Sequence, residues 1–399
     1  MKKILNIFLK ILGVLGLAFL LLVEVTEISP VYKFRAPHAF AGPAIYNPYA
    51  SLDTLQGWKK ANFHTHTRVK GPWPPNEGDT WPLETFQAYE RLGYQIVTFS
   101  NHNEITTHPF DPALQVNVYE QGYSPYKFHK LVFGSKGVRH LDPFLPVLAS
   151  QKQFELERLD AQSDFIQINH PYRTWGMSKS HMEKLSGYEI MELDTNIGTE
   201  NEYWDWALSA GHFSFGLAND DLHHPGRTEC IGIRCNFIQT PSGRYEDLRE
   251  ALLGGCYYSM RVPDYGHGDW EEKIRRSRML PSVKDIGLRG DTLYIRLSQA
   301  ADTIRVNGQD HAVLAKVHGQ SELTYVLGAD EPYARFTAFF PGGEVLYSNP
   351  FARYDPSSGA GLFDKEPQKV NVFLTLLWNL FILVLMVGTV WLGIKMFRK

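Results

Sequence analysis

The chain has 399 residues, a formal net charge of −3, 44% hydrophobic residues and 13% aromatic residues. This is ample for packed cores and excludes a disordered chain. With no Lys/Arg run between the two ends, there is no electrostatic footprint for nucleic acid, and none is expected as a partner.

The first element follows Lys2 and Lys3, where an apolar stretch runs from Ile4 to Val23, broken by Asn6 and Lys10. Its part from Ile11 to Val23 has the length of a secretory h-region. Glu24 to Glu27 then stand where small residues would permit cleavage, and the Ala39-Phe-Ala41 triplet lies too far downstream, so residues 1–30 read as an uncleaved anchor. Residues 31–57, rich in Pro, Tyr and Ala without periodicity, read as a lead-in.

Over 58–282, short apolar runs alternate with amphipathic stretches. "YQIVTFS", "DFIQIN", "YEIMEL" and "FSFGLAN" read as buried strands; "PLETFQAYERLG", "LPVLASQKQFELERLDA", "ENEYWDWALSAG" and "YEDLREALLGG" read as helices. That alternation is the pattern of an α/β layer or barrel with a parallel sheet. "CIGIRCNFI" reads as a further strand. Cys230 and Cys235 would point to opposite faces of it, so they and Cys256 are expected as free thiols, small apolar residues of the interior.

After Pro281 the pattern becomes alternating, with Gly/Asp turns, and 283–352 reads as a small antiparallel β-sandwich. A polar tether over 353–369 leads to a second apolar run, 370–394, long enough to cross a bilayer by the criterion of about 20 apolar residues. Trp378 and Trp391 suit its two interfaces, and the basic tail 395–399 closes the chain. The lysines near the N terminus and the basic tail place both termini in the cytoplasm by the positive-inside rule. The expected location is a bacterial inner membrane, with the central region facing the periplasm.

Chemistry concentrates at strand ends. In "ANFHTHTRV", His64 and His66 share one face if the run is a strand, and serve either as metal ligands or as polar residues of an exposed edge. "YQIVTFSNHNEI" ends an apolar run with His102, "DFIQINHPYRTW" with His170, and "FSFGLANDDLHHP" with Asp221 and His223. The C-terminal ends of consecutive parallel strands converge on one mouth, so this recurrence points to a metal site.

With these motifs in hand, the chain resembles the polymerase and histidinol phosphatase (PHP) superfamily over about Trp58 to Arg261, with "EALLGGCYYS" resembling its closing helix and strand. The resemblance implies a distorted (β/α)7-type barrel followed by the β module, and metal ligation by His64, His66, His102, His170, Asp221 and His223. It also implies a bridging Glu followed by a His, and "VNVYEQGYSPYKFHKLVFGS" supplies Glu120 and His129. His140 fits less well, and His108, His181, His212 and His224 are left outside the ligand set. Two positions depart from the pattern. Asn101 stands where an Asp is usual, and an acidic or His ligand shortly after His66 is missing unless Asp79 fills that role beyond an insertion over 70–77.

Such ligands suit two or three zinc, manganese or iron ions. Ions bridged by Glu120 or a hydroxide lower the pKa of water towards about 7 and clamp a phosphoryl group. Glu120 and Asp221 are the expected catalytic carboxylates, and Arg173 is a candidate for binding phosphate. The expected function is a membrane-anchored metal-dependent hydrolase, most readily a phosphoesterase acting on a small-molecule or lipid-linked phosphate or ester. The trailing β module looks most like the carbaryl-hydrolase branch, which brings in carboxylic or carbamic ester hydrolysis. A metal-stabilised binding or scaffold protein of the envelope is the alternative from another class.

Overall fold

The structure, a computed structural model, describes residues 2–70, 77–193, 201–359 and 361–398. Most of the expected insertion (71–76), the first residue of "ENEYWDWALSAG" (Glu200) and the last residue of the basic tail (Lys399) lie outside the described residues.

Each of the four helix candidates contains a helix: Pro82–Arg91, Ala149–Asp160, Glu202–Ser209 and Tyr245–Gly254. Pro82 supplies a fixed φ in the first turn, while the Glu84 carboxylate accepts from the Trp81 N–H at 3.0 Å. Helix Ala149–Asp160 starts later than its apolar run suggests. Pro146 interrupts the run, and the Gln151 side chain accepts from the Leu148 N–H at 2.9 Å, closing the helix end there.

A five-stranded sheet runs in the order Val118–Gln121, Lys130–Phe133, Phe165–Ile168, Ile190–Glu192, Phe215–Leu217. Its first three strands are antiparallel and its last three parallel. All five are buried along their whole length, which is why the last three read as largely apolar runs, while the first two carry Glu120, Gln121 and Lys130 inward. In the second, eleven-stranded sheet, Lys59–Asn62 pairs in parallel with Ile96–Val97 and antiparallel with Arg234–Ile238. Two isolated parallel bridges, Thr65 with Leu222 and His102 with Glu120, link the ends of the two sheets.

The C-terminal strands depart from the expected separate sandwich. Val345–Ser348 pairs with Tyr257–Arg261, and through it Tyr333–Phe339, Thr292–Gly308, Val283–Arg289 and Val313–Val326 continue the eleven-stranded sheet. Their core is shared too: Ile304, Phe336 and Leu346 bury in one cluster with Tyr89, Val97 and Tyr258. The lead-in is likewise tied down, with Ala44–Tyr46 pairing with Phe351–Tyr354. The strand expected over "CIGIRCNFI" is shorter, Arg234–Ile238. The buried Asp220 carboxylate accepts the N–H groups of Gly232, Ile233 and Arg234 (2.7, 3.1 and 2.8 Å), holding a turn at Gly232, where φ is 65°. All three cysteines are free thiols; Cys235 and Cys256 are buried, whereas Cys230 is only partly so.

The terminal helices, Lys2–Thr26 and Val372–Phe397, are long and apolar enough to cross a membrane. They lie antiparallel. Thr389 donates to Glu24 at 2.8 Å, Trp378 Nε1 donates to the Glu27 carbonyl at 2.9 Å, and Gly13 lies against Met396. Just beyond them Tyr32–Lys33 and Lys369–Val370 form an antiparallel pair.

Candidate metal centre

The strand ends deliver their polar residues to one buried cluster around Glu120. Glu120 Oε1 lies 3.2 Å from His64 Nε2, 3.2 Å from His129 Nδ1 and 3.3 Å from His170 Nε2. Its Oε2 lies 3.1 Å from His66 Nε2 and 3.0 Å from His102 Nε2. Asp221 Oδ1 stands 3.2 Å from both His64 Nε2 and His66 Nε2, and its other oxygen pairs with Arg173. Among the described residues, three overlapping groups have ligand atoms within 4.8 Å of one another: His64, His66, Glu120 and Asp221; His66, Glu77 and His102; and His102, Glu120 and His129.

Backbone geometry at these strand ends is unusual. His170 and Asp221 have φ values of 24° and 51°, in the positive-φ region that residues with a Cβ rarely adopt. The Asn169 N–H donates to the His129 carbonyl at 3.0 Å, locking the hairpin that carries Glu120 and His129 to the strand end that carries His170. Within the hairpin, Gly122 has a φ of 132°, and a Cβ there would stand 2.8 Å from the His129 ring.

His64 supplies the decisive test of whether the residues fit a cation. Its Nδ1 donates to Glu192 Oε1 at 2.8 Å, so in the neutral ring Nε2 carries a lone pair. That lone pair faces carboxylate oxygens of Glu120 and Asp221 and lies 3.3 Å from His66 Nε2. Lone pairs converging in a buried site repel unless a positive charge lies among them. Burial disfavours positive charge on His64, yet Glu120, Glu192 and Asp221 favour it and hold the ring well above the usual histidine range, so the surroundings suit a cation at this place. Burial likewise works against charge on Glu120 and Asp221, but the surrounding imidazoles hold both carboxyls well below their usual range. Burial pushes His129 down to about 3, leaving a neutral ring able to bind a metal. His66 Nδ1, His102 Nδ1 and His170 Nδ1 are buried with no hydrogen-bond partner among the described residues. This donor set fits divalent ions.

His223 sits at the rim, stacked on His66 with ring centroids 4.3 Å apart. Its Nδ1 donates to the Asp221 carbonyl at 2.8 Å, leaving Nε2 directed towards Glu77, 3.8 Å away. Asp79 does not join the cluster. Its exposed carboxylate pairs with His224 at 2.6 Å, and Glu77 takes the inward place, with Oε2 3.3 Å from His102 and 3.5 Å from His66. Sequence reasoning also passed over Glu192, whose Oε2 accepts the His170 N–H at 2.8 Å. The run "YEIMEL" holds two glutamates, Glu189 and Glu192, and residue type alone does not single out the second. Asn101 joins the loops after His66 and His102: its Oδ1 accepts from the Thr67 N–H at 2.7 Å and its Nδ2 donates to the Thr67 and Thr106 hydroxyls. His108 packs against Phe110, His181 bonds Ser178, and His212 bonds the Glu183 carbonyl, all away from the cluster.

No protein-family model matches the chain, and no curated protein matches it. It is similar to two solved structures. One, from Bacteroides vulgatus ATCC 8482, is described as a two-domain protein containing a predicted PHP-like metal-dependent phosphoesterase. It shows 12% identity and a TM-score of 0.39, covering 80% of this chain and 100% of that one. The other is the lesion-specific endonuclease PfuEndoQ from Pyrococcus furiosus, with 14% identity and a TM-score of 0.34, covering 49% of this chain and 56% of that one.

Proposed function

We propose that the chain is a membrane-anchored, divalent-metal-dependent phosphoesterase of the PHP type, with the five-stranded sheet, Lys59–Asn62 and Ile96–Val97 as the seven strands of a distorted barrel whose two seams are the isolated bridges. The observation that carries the reading is the His64 lone pair, held by Glu192 against the Glu120 and Asp221 carboxylates and His66. The residues that would hold the ions are Glu120, with His64, His66, His170 and Asp221 on one side and His66, Glu77, His102, His129 and His223 on the other. Bound zinc, manganese or iron ions supply Lewis acidity, lowering the pKa of water and polarising phosphoryl oxygens.

The chain's own residues then do the positioning. Arg173 borders Asp221 and is partly exposed, so its fork is placed to take phosphate oxygens that enter the mouth. Asp221, facing the His64 and His66 pair with one oxygen and Arg173 with the other, stays ionised and orients the guanidinium. The antiparallel terminal helices support an anchor with both ends on one side of the bilayer, the cytoplasmic side by their flanking charges.

The test is hydrolysis by the purified full chain in detergent, with manganese, zinc or iron(II), of p-nitrophenyl phosphate, bis-p-nitrophenyl phosphate, p-nitrophenyl acetate and an aryl carbamate. Phosphoester cleavage that a chelator abolishes is the expected result. Cleavage of only the carboxylic or carbamic esters overturns it in favour of acyl chemistry; stoichiometric metal with no turnover favours a binding or scaffold role.

A further inference from the structure

The membrane anchor and the metal cluster meet at one end of the molecule. Helix Ala149–Asp160 returns into strand Phe165–Ile168, whose far end carries His170, so the helix N terminus lies at the cluster end of that strand. The segment leaving the N-terminal apolar helix binds there. Glu27 accepts from the Leu145 N–H at 2.7 Å and from the Gln151 side chain, and Ser150 Oγ accepts from the Tyr32 N–H at 3.0 Å. Farther from the apolar helices, Tyr32 OH reaches Glu157, Gln368 N–H reaches Glu157 and Lys365 reaches Asp160. The order of these contacts runs down the helix, away from the membrane and away from the cluster.

The loop over 140–148 extends the same face. Phe144 packs edge-on against Phe19, with ring centroids 5.7 Å apart. Phe19 lies about 10 Å of helix before Thr26, so Phe144 stands beside the last turns of the span. The Thr26 hydroxyl accepts from the Phe144 N–H at 3.1 Å, and Ser124 donates to the Phe144 carbonyl at 2.7 Å, which ties the loop to the hairpin of Glu120 and His129. His181 Nε2 donates to the Val147 carbonyl at 3.1 Å, which ties it to the segment after His170 and Arg173. On this face Leu141, Leu145 and Val147 are 61%, 37% and 50% exposed, and Trp175, just beyond Arg173 and stacked on Tyr126, is 68% exposed. Apolar side chains on loops beside the exit of a span match the chemistry of a bilayer interface.

We propose that the mouth of the metal cluster faces the bilayer and that its substrate is a phosphoester carried by a lipid of that leaflet. The substrate class rests on the phosphoesterase reading; the orientation rests on the contacts above.

The test uses the full chain reconstituted in phosphatidylcholine vesicles. In a background with the three cysteines replaced by serine, Leu145→Cys carries an NBD fluorophore, and Leu55→Cys, before the opposite end of strand Lys59–Asn62 and 95% exposed, is the control. Doxyl-lipid is expected to quench the probe at 145 and not at 55. Phosphatidic acid or phosphatidylglycerol in the vesicle is expected to be cleaved at least about tenfold faster than glycerol 3-phosphate or glycerophosphoglycerol in solution. Leu141→Ser with Val147→Ser lowers that lipid turnover by about tenfold, in proportion to the apolar contact removed, and leaves p-nitrophenyl phosphate turnover unchanged. A probe at 145 that behaves like the one at 55 overturns the proposal, as does equal turnover of the soluble headgroups. Failure of the metal-loaded wild type on p-nitrophenyl and bis-p-nitrophenyl phosphate counts against the phosphoesterase reading instead, and the quenching result then decides the orientation alone.

Discussion

Glu192→Gln isolates the tautomer argument because it keeps the shape of the side chain and removes only its charge and one acceptor. The wild-type carboxylate accepts from His64 Nδ1 and from the His170 backbone N–H, both at 2.8 Å, and more distantly from Asn219 Nδ2 at 3.5 Å. A glutamine has one acceptor and two donors. If its oxygen faces His170, the amide N–H faces His64 Nδ1 and drives the proton to Nε2, where a metal must bind. If its oxygen faces His64, the His170 N–H is left buried against another donor, costing about 1–3 kcal/mol. Either arrangement weakens the site, and loss of such a partner behind a ligating histidine costs roughly 10–100-fold in metal affinity, or about 1.4–2.7 kcal/mol. Titrating the apo protein with Mn²⁺ or Zn²⁺ in competition with a chelator measures this directly. An affinity equal to wild type, with far-UV circular dichroism unchanged, would refute the claim that Glu192 sets the His64 lone pair.

Three further outcomes are expected. Glu77→Ala lowers the metal content measured by plasma emission and Asp79→Ala does not, since Glu77 faces His66 and His102 while Asp79 pairs with His224 at the surface; the reverse result would restore Asp79 as a ligand. Gly122→Ala destabilises the fold by about 1–3 kcal/mol in denaturant unfolding and weakens metal binding, because the added methyl pushes on the His129 ring; wild-type behaviour on both counts would show that the loop yields freely. Asp205→Ala costs about 3–5 kcal/mol by stranding buried Arg335, whose guanidinium donates to both Asp205 oxygens at 3.1 and 2.7 Å. Burial raises the Asp205 carboxyl, but Arg335 and His311 hold it below its usual value. Its stabilisation is therefore present above pH about 4 and is lost as pH falls through the lower folded value. His311 hydrogen-bonds Asp205 and is raised, so its share is full below pH about 6.5 and is lost as pH rises through the higher folded value. Thermal unfolding of wild type and Asp205→Asn across this range separates the two, and parallel profiles would contradict the assignment.

The site was legible where local pattern and chemistry coincide. His102, His170, Asp221 and His223 each end an apolar strand, so periodicity located them and residue type suggested their role. Glu77 was not legible, because its approach to His66 and His102 is a long-range juxtaposition that no periodicity records. Glu192 was hidden for a different reason: a glutamate after an apolar strand reads the same whether it faces solvent or His64. The C-terminal region looked separate because its strands alternate like a free-standing module. Its join to the main sheet depends on the long-range pairing of Val345–Ser348 with Tyr257–Arg261, which neither segment announces. The lead-in failed similarly, since Ala44–Tyr46 acquires strand geometry only by adding to Phe351–Tyr354.

The most direct measurement of the central claim is element-resolved metal content of the purified full chain beside Glu120→Ala, with folding checked by circular dichroism. Glu120 touches His64, His66, His102, His129 and His170. The wild type is predicted to retain at least two divalent ions per chain, and Glu120→Ala to lose at least one while remaining folded. A wild type free of metal after incubation with manganese, zinc and iron(II), or a folded Glu120→Ala with its full complement, would contradict the account.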